Sequence, residues 1–203
     1  MKYSSKYPLK PFQDSDPSKL RRVIAEYPLA TVISQTKDFP LVSQIPLIYH
    51  PTDNALRGHV DRNNPHCDEL RKGENIYCIF NGPNHYISPS IYPDTQYPGW
   101  NYVAVHVEGR VRAFEDKNKL TDLLLETASH NEPEDSGYNL SPSQENFHRL
   151  VQYILGFEIE ISDIRGVLKL AQDKGPKHAG LAKDHLSKVV QQDISDFLEA
   201  MLS

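Results

Sequence analysis

"LATVISQTKDFPLVSQIPLIYH", Leu29 to His50, decides how this chain folds. Ala30 to Ser34 is a short run of strand formers. "QTKDF" turns the chain, and Leu41 to Tyr49 runs back. The return segment alternates with the period of a strand: Leu41, Ser43, Ile45, Leu47 and Tyr49 point one way, Val42, Gln44, Pro46 and Ile48 the other. Pro46 removes a backbone donor inside the run, which predicts an edge or a bulge there. The stretch is therefore an antiparallel hairpin.

Working outward, "DSDPSKLRRVIAEYPLA" precedes the hairpin as a helix. Asp16 suits its N-cap and Pro17 its first position. Leu20, Val23, Ile24 and Tyr27 share one face, and Pro28 ends it. On the other side "PTDN" is a turn and "ALRGHV" a strand. "NIYCIFNG" reads as a short strand, broken at Gly82-Pro83 from "NHYISPSIY". The longest strand is "WNYVAVHVEGRVRAF". Val103, Val105, Val107 and Val111 form one face; Trp100, Tyr102, Ala104, His106 and Glu108 form the other. Helices follow at "EDKNKLTDLLLETASH", capped near Asp116, and at "SPSQENFHRLVQYI", where Ser141, Pro142 and Gln144 stand in capping-box order. "LGFEIEI" is the last clear strand, and "AGLAKDHLSKVV" and "DISDFLEAML" read as C-terminal helices. About seven strands joined by tight turns, without βαβ alternation, predict an α+β antiparallel barrel with peripheral helices.

Composition narrows the function. The chain has 203 residues, 38% hydrophobic and 24% charged, and a net charge of −5. An acidic balance argues against a broad DNA-binding surface, whose affinity rests on phosphate neutralisation. The one candidate basic patch is Lys169, Lys174, Lys177 and Lys183, interrupted by Asp173; a solvated helix face is the better account of it. "MKYSSKYPLKPF" lacks the apolar core of a signal peptide, and no apolar run approaches membrane-spanning length. The expectation is a cytoplasmic protein with two free thiols, Cys67 and Cys78.

"LRGHVDRNNPHCDEL", Leu56 to Leu70, is rich in potential ligands. His59 and His66 are seven apart and Cys67 adjoins His66, a spacing unlike that of zinc sites. No metal is expected. Asn64 as N-cap and Pro65 as first helical residue make the segment a strand, a turn and a short helix. Two readings stay open: a plain cap, or an anion site on the helix start with Arg62, Asn63 and Asn64 as added donors. The face of Trp100, Tyr102 and His106 suits a flat ligand, a dimer contact, or plain solvent. No nucleophile, P-loop or dinucleotide fingerprint is present, so catalytic residues stay unassigned.

"PLVSQIPLIYH", "LRGHVDRNNPH", "IFNGPNHYISPSIYP", "PGWNYVAVHVEGRV" and "ILGFEIEISDIRGVLKLAQDKG" resemble, in order, the PaiB-type family of FMN-binding negative transcriptional regulators. The resemblance runs from about Tyr7 to about Leu186. It implies an FMN-binding split barrel like that of the pyridoxamine-phosphate-oxidase and flavin-reductase families, with FMN at a homodimer interface. It places the barrel domain over 1–165 and a C-terminal helical extension over 166–203. By position it implies that His59, Arg62, Asn63, Asn64 and His66 serve the phosphate and ribityl chain, and that Ser43, Gln44, Ile45 and Pro46 line the ring. It implies that Trp100 and Asn101 come from the second subunit, and that Lys169 and Gln172 belong to the same site. The expected role is a transcriptional regulator or a flavin or redox sensor. The alternative is an FMN-dependent oxidoreductase, in which the flavin carries the chemistry.

Overall fold

The computed structural model describes residues 8–133 and 135–190. The helix expected over "DISDFLEAML" lies outside the described residues. The chain runs β1 (Gln13–Asp14), α1 (Pro17–Glu26), β2 (Leu29–Ser34), β3 (Leu41–Pro46), β4 (Ile48–His50), β5 (Ala55–Asp61), α2 (His66–Lys72), β6 (Asn75–Ile87), β7 (Gly99–Phe114), α3 (Lys117–Asn131), α4 (Phe147–Gln152), β8 (Ile154–Lys169) and α5 (Pro176–Val190). It divides into two compact units. Among the described residues, the barrel unit holds 15–81 and 105–165, and the second unit holds 8–14, 82–104 and 166–190.

In the barrel unit the Leu29–His50 hairpin forms as its alternation predicts. β2 and β3 pair antiparallel with Ala30 opposite Ile45, Val32 opposite Ser43 and Ser34 opposite Leu41. The strand order is β3-β2-β6-β7-β8-β5-β4, with β1 paired to β8. β3 and β4 are separated in the chain by Leu47 alone, yet they occupy opposite ends of that order. The sheet must curl until its ends meet, which closes a barrel. Leu47 makes the corner by donating its N–H to the Pro28 carbonyl, 2.9 Å. The expected unbroken alternation to Tyr49 therefore fails at the corner: Leu47 and Ile48 are both buried. Pro46 sits at the end of edge strand β3, where its missing N–H costs nothing. Its carbonyl is approached so closely by β5 that a Cβ on Gly58 would lie 2.8 Å from it. Only glycine fits there.

Asp16 caps α1 by accepting from the Ser18 N–H at 2.9 Å, and Leu20 and Ile24 are buried from its apolar face. A satellite core of Leu120, Leu124, Phe147, Val151 and Ile154 joins α3, α4 and the start of β8. In the second unit, Ile87, Tyr92, Ala171 and Ala182 form a separate small core.

Three boundaries differ from expectation. β6 runs unbroken through Gly82 and Pro83, because Gly82 admits the Val103 side chain where its own Cβ would stand at 3.1 Å. β8 continues past Ile161 to Lys169, and the described residues form eight strands. The helix expected from Ser141 starts only at Phe147: Ser141 and Gln144 close a local turn, with Gln144 N–H on the Ser141 carbonyl at 3.1 Å.

Candidate functional site

The segment after β5 turns as the Asn64-Pro65 reading requires, but its donors are already committed. Asp61 accepts from the Asn63 N–H at 2.7 Å and from the Asn64 N–H at 2.9 Å. α2 starts at His66 with Pro65 at its N-cap, one residue later than expected, and Asn64 braces the turn before it: its side-chain oxygen accepts from the His66 N–H at 2.9 Å and its carbonyl from the Cys67 N–H at 3.0 Å. The Arg62 N–H goes to the Tyr153 carbonyl at 2.8 Å. The backbone amides of Arg62, Asn63, Asn64, His66 and Cys67 thus bond within the chain. Any anion held here would be met by side chains, not by the helix start.

His66 and His59 differ sharply. His66 is fully buried, with Nδ1 2.9 Å from the Ser43 hydroxyl and Nε2 3.0 Å from the Ser34 hydroxyl. Both ring nitrogens are spent tying α2 to β2 and β3. Burial holds its pKa below the ordinary histidine value. His59 lies opposite Gly156 in the β5–β8 ladder. A Cβ on Gly156 would meet Phe114 and Leu120 at under 3 Å, and directly opposed residues share a face. His59 therefore points toward the α3 side of the sheet. Its Nδ1 is buried and has no partner, and burial depresses its pKa.

Arg62 donates through Nη1 to Glu115, which Arg71 also contacts at 3.1 Å. Arg62 and Arg71 together lower the Glu115 pKa. Yet Nε of Arg62 is buried without a partner. Asn63 spends its side-chain amide on Asp61. Ser43 serves His66, Gln44 pairs with Thr31 at 3.0 Å on the outer face, and Ile45 is buried core.

The other four expected residues belong to the second unit. Trp100 is 51% exposed, donates to Asn84 at 3.3 Å and stacks on His85. Asn101 is 5% exposed, and its side-chain NH2 has no partner. Gln172 spends its amide on Leu168 and Leu170, bracing the left-handed turn at Ala171. Lys169 is half-buried.

Sequence reasoning missed two features. Ser34 is a buried hydroxyl in phase with Ala30 and Val32; a lone serine on an apolar face signals a buried polar partner. The second is a chain of Arg165, Tyr77 and His106 on three strands, which no local motif marks. Both cysteines are buried thiols, and burial pushes Cys78 up to about 12, which makes it a poor nucleophile. Among the described residues no three His, Cys, Asp or Glu converge as a metal ion needs, and no helix is long and apolar enough to cross a membrane.

Comparison with known proteins fits this architecture. The "Protease synthase and sporulation protein PAI 2" of Bacillus subtilis is 28% identical over 168 residues, covering 80% of each chain. Among solved structures, the FAD and heme binding protein of Mycobacterium smegmatis aligns with a TM-score of 0.65 at 14% identity, over 84% of this chain and 80% of that one. The flavocytochrome Anf3 of Azotobacter vinelandii aligns with a TM-score of 0.62 at 14% identity, over 77% of this chain and 69% of that one. These likenesses establish the split-barrel fold expected from the sequence. The family model described as "Putative FMN-binding domain" matches residues 6–163. That span is most of the chain, and the protein belongs to this FMN-binding domain family.

Proposed function

We propose that the protein binds FMN as a homodimer and acts as a flavin-dependent regulator or redox sensor. One observation carries this reading. Five buried side-chain polar atoms lack a hydrogen-bond partner among the described residues, and three of them belong to His59, Arg62 and Asn101. Buried polar groups are nearly always satisfied, so unpaired ones mark where an absent molecule belongs. Their chemistry fits FMN. Arg62 Nε would donate to the phosphate, and His59 Nδ1 would accept a hydroxyl of the ribityl chain. The Asn101 NH2, supplied by the second copy with Trp100, would donate to a pyrimidine oxygen. Lys169 of that copy would add charge near the phosphate. His66, Ser43, Asn64 and Gln172 act in this reading by shaping the walls.

Exposed apolar side chains support association of two copies. Leu29 is 56% exposed and Val42 51%, both on the outer sheet face, and Phe39 at the hairpin tip is 80% exposed. The regulatory assignment draws on the name of the Bacillus subtilis relative, which concerns protease synthesis and sporulation. The net charge of −5 disfavours direct, non-specific DNA contact.

The test is spectroscopic. The purified protein is titrated with FMN while flavin fluorescence and visible absorption are followed, and its mass is measured in solution. Saturable binding of one FMN per chain by a dimer is expected. Absence of binding would end the flavin reading. NADH oxidation by the FMN-loaded protein would replace the regulator with an oxidoreductase.

A further inference from the structure

The outer face of the barrel unit carries an unusual polar chain. Arg165 Nη2 donates to the Tyr77 hydroxyl at 3.2 Å, and that hydroxyl lies 3.0 Å from His106 Nδ1. The Arg165 guanidinium also sits 5.8 Å from the Tyr77 ring centroid and is anchored by Glu108 at 2.6 Å and by Asp163. Arginine can only donate. A phenol that accepts from arginine becomes a stronger donor, and a head-to-tail order strengthens each bond in the chain. The order Arg165 to Tyr77 to His106 therefore places the phenol proton on the bond to Nδ1. It makes His106 the neutral Nε2–H tautomer. Burial, with Arg165 nearby, also keeps the ring neutral by depressing its pKa.

The register fixes what lies beside this donor. Ile33 stands opposite both Val42 and Tyr77, and Thr31 opposite both Gln44 and Ile79. Thr31, Ile33 and Ile79 are half-buried and form a flat, largely apolar floor across β2 and β6. At one side is His106, and at the other the Gln44 amide, held by Thr31. With strands ~4.8 Å apart, the three steps from β3 to β7 span ~14 Å. That is room for a fused tricyclic ring lying flat, with a hydrogen-bond donor at one end.

We infer that this floor seats the isoalloxazine ring of the flavin, with the Nε2–H of His106 donating to its pyrimidine edge and Tyr77 and Arg165 positioning that donor. The inference rests on the flavin reading above and adds residues outside the Arg62 segment. The chemistry is selective. A neutral donor serves the carbonyl edge of an oxidised ring and strengthens as negative charge builds there on reduction. It therefore favours the reduced flavin and raises the midpoint potential.

The experiment uses the full chain and FMN itself. The ring nitrogens of His106 are read by 15N NMR with and without FMN, and FMN affinity and midpoint potential are measured for His106→Leu, His106→Gln and Tyr77→Phe. The expected results are a neutral Nε2–H ring whose Nε2 signal shifts on adding FMN, and at least tenfold weaker binding with a lower potential in His106→Leu. Binding in His106→Gln, which keeps a donor, should stay within about threefold of the parent. Tyr77→Phe should release Nδ1 and let the neutral ring populate its Nδ1–H form, read as a change in both 15N signals. FMN binding of unchanged affinity and potential in a folded His106→Leu variant, with no Nε2 shift in the parent, overturns the seat while the flavin reading stands. No FMN binding by the parent chain overturns both.

Discussion

The turn at Asp61–His66 and the strand start at Trp100–Asn101 were equally prominent as ligand candidates in the sequence, and they fold into opposite states. In the first, Asp61, Asn64 and His66 satisfy one another and the hydroxyls of Ser34 and Ser43. In the second, a largely exposed indole stands beside a buried amide whose NH2 has no partner among the described residues. Polar density in a sequence therefore does not identify a binding group. A polar group that the fold buries and leaves unsatisfied is the better candidate. Even within the first segment, this rule separates Arg62 and His59 from His66.

Breaking the committed region should cost the most. His66→Ala removes two hydrogen bonds and opens a cavity, and should lower unfolding free energy by about 2–4 kcal/mol in urea titration. An unchanged midpoint would mean the two serine contacts do not hold the helix. Gly58→Ala tests the corner beside this segment. Its Cβ would sit 2.6 Å from Leu47 Cδ2 and 2.8 Å from the Pro46 carbonyl, so a loss of about 1–3 kcal/mol is expected in the same titration.

The uncommitted groups should respond in the reverse sense. Asn101→Ala and Arg62→Ala should each weaken FMN binding about tenfold, or ~1.4 kcal/mol, by fluorescence titration. Asn101→Ala should not lower stability, since its NH2 bonds to nothing that would be lost. If it unfolds the protein, the contrast between the two regions collapses. Asn64→Ala, by contrast, removes the side-chain acceptor of the His66 N–H and should cost about 1 kcal/mol of stability.

The smallest effect is with pH. His59 and His66 have folded pKa values below the ordinary 6.5, because burial penalises their charged forms. Below that value the unfolded chain takes up protons that the folded one refuses. Their contribution to stability is present above about pH 6.5 and is lost as pH falls through the folded values. Urea midpoints should drop between about pH 7.5 and 5.5, and His66→Gln should flatten that slope.

Much of the fold is local and was legible. The hairpin alternation, the Asp16 cap, the Asn64-Pro65 turn and the valine face of β7 each follow from a few neighbouring residues, because pleat and capping geometry repeat over short distances. The missed boundaries needed distant partners. β6 crosses Gly82-Pro83 only because Val103 fills the space beside Gly82, and the alternation of β3 stops at Leu47 because the sheet closes there.

The sequence by itself determined the strand period, the caps of α1 and α3, the acidic balance and the family resemblance. Each is a property of neighbouring residues or of composition. Only the tertiary structure decided which polar groups are spent. Ser34 meets His66 across 32 residues, Arg165 meets Tyr77 across 88, and Arg62 reaches Glu115 across 53. Hydrogen-bond satisfaction is a pairwise property in space, so no reading along the chain could separate the histidine that ties α2 to β2 and β3 from the groups the fold buries without a partner.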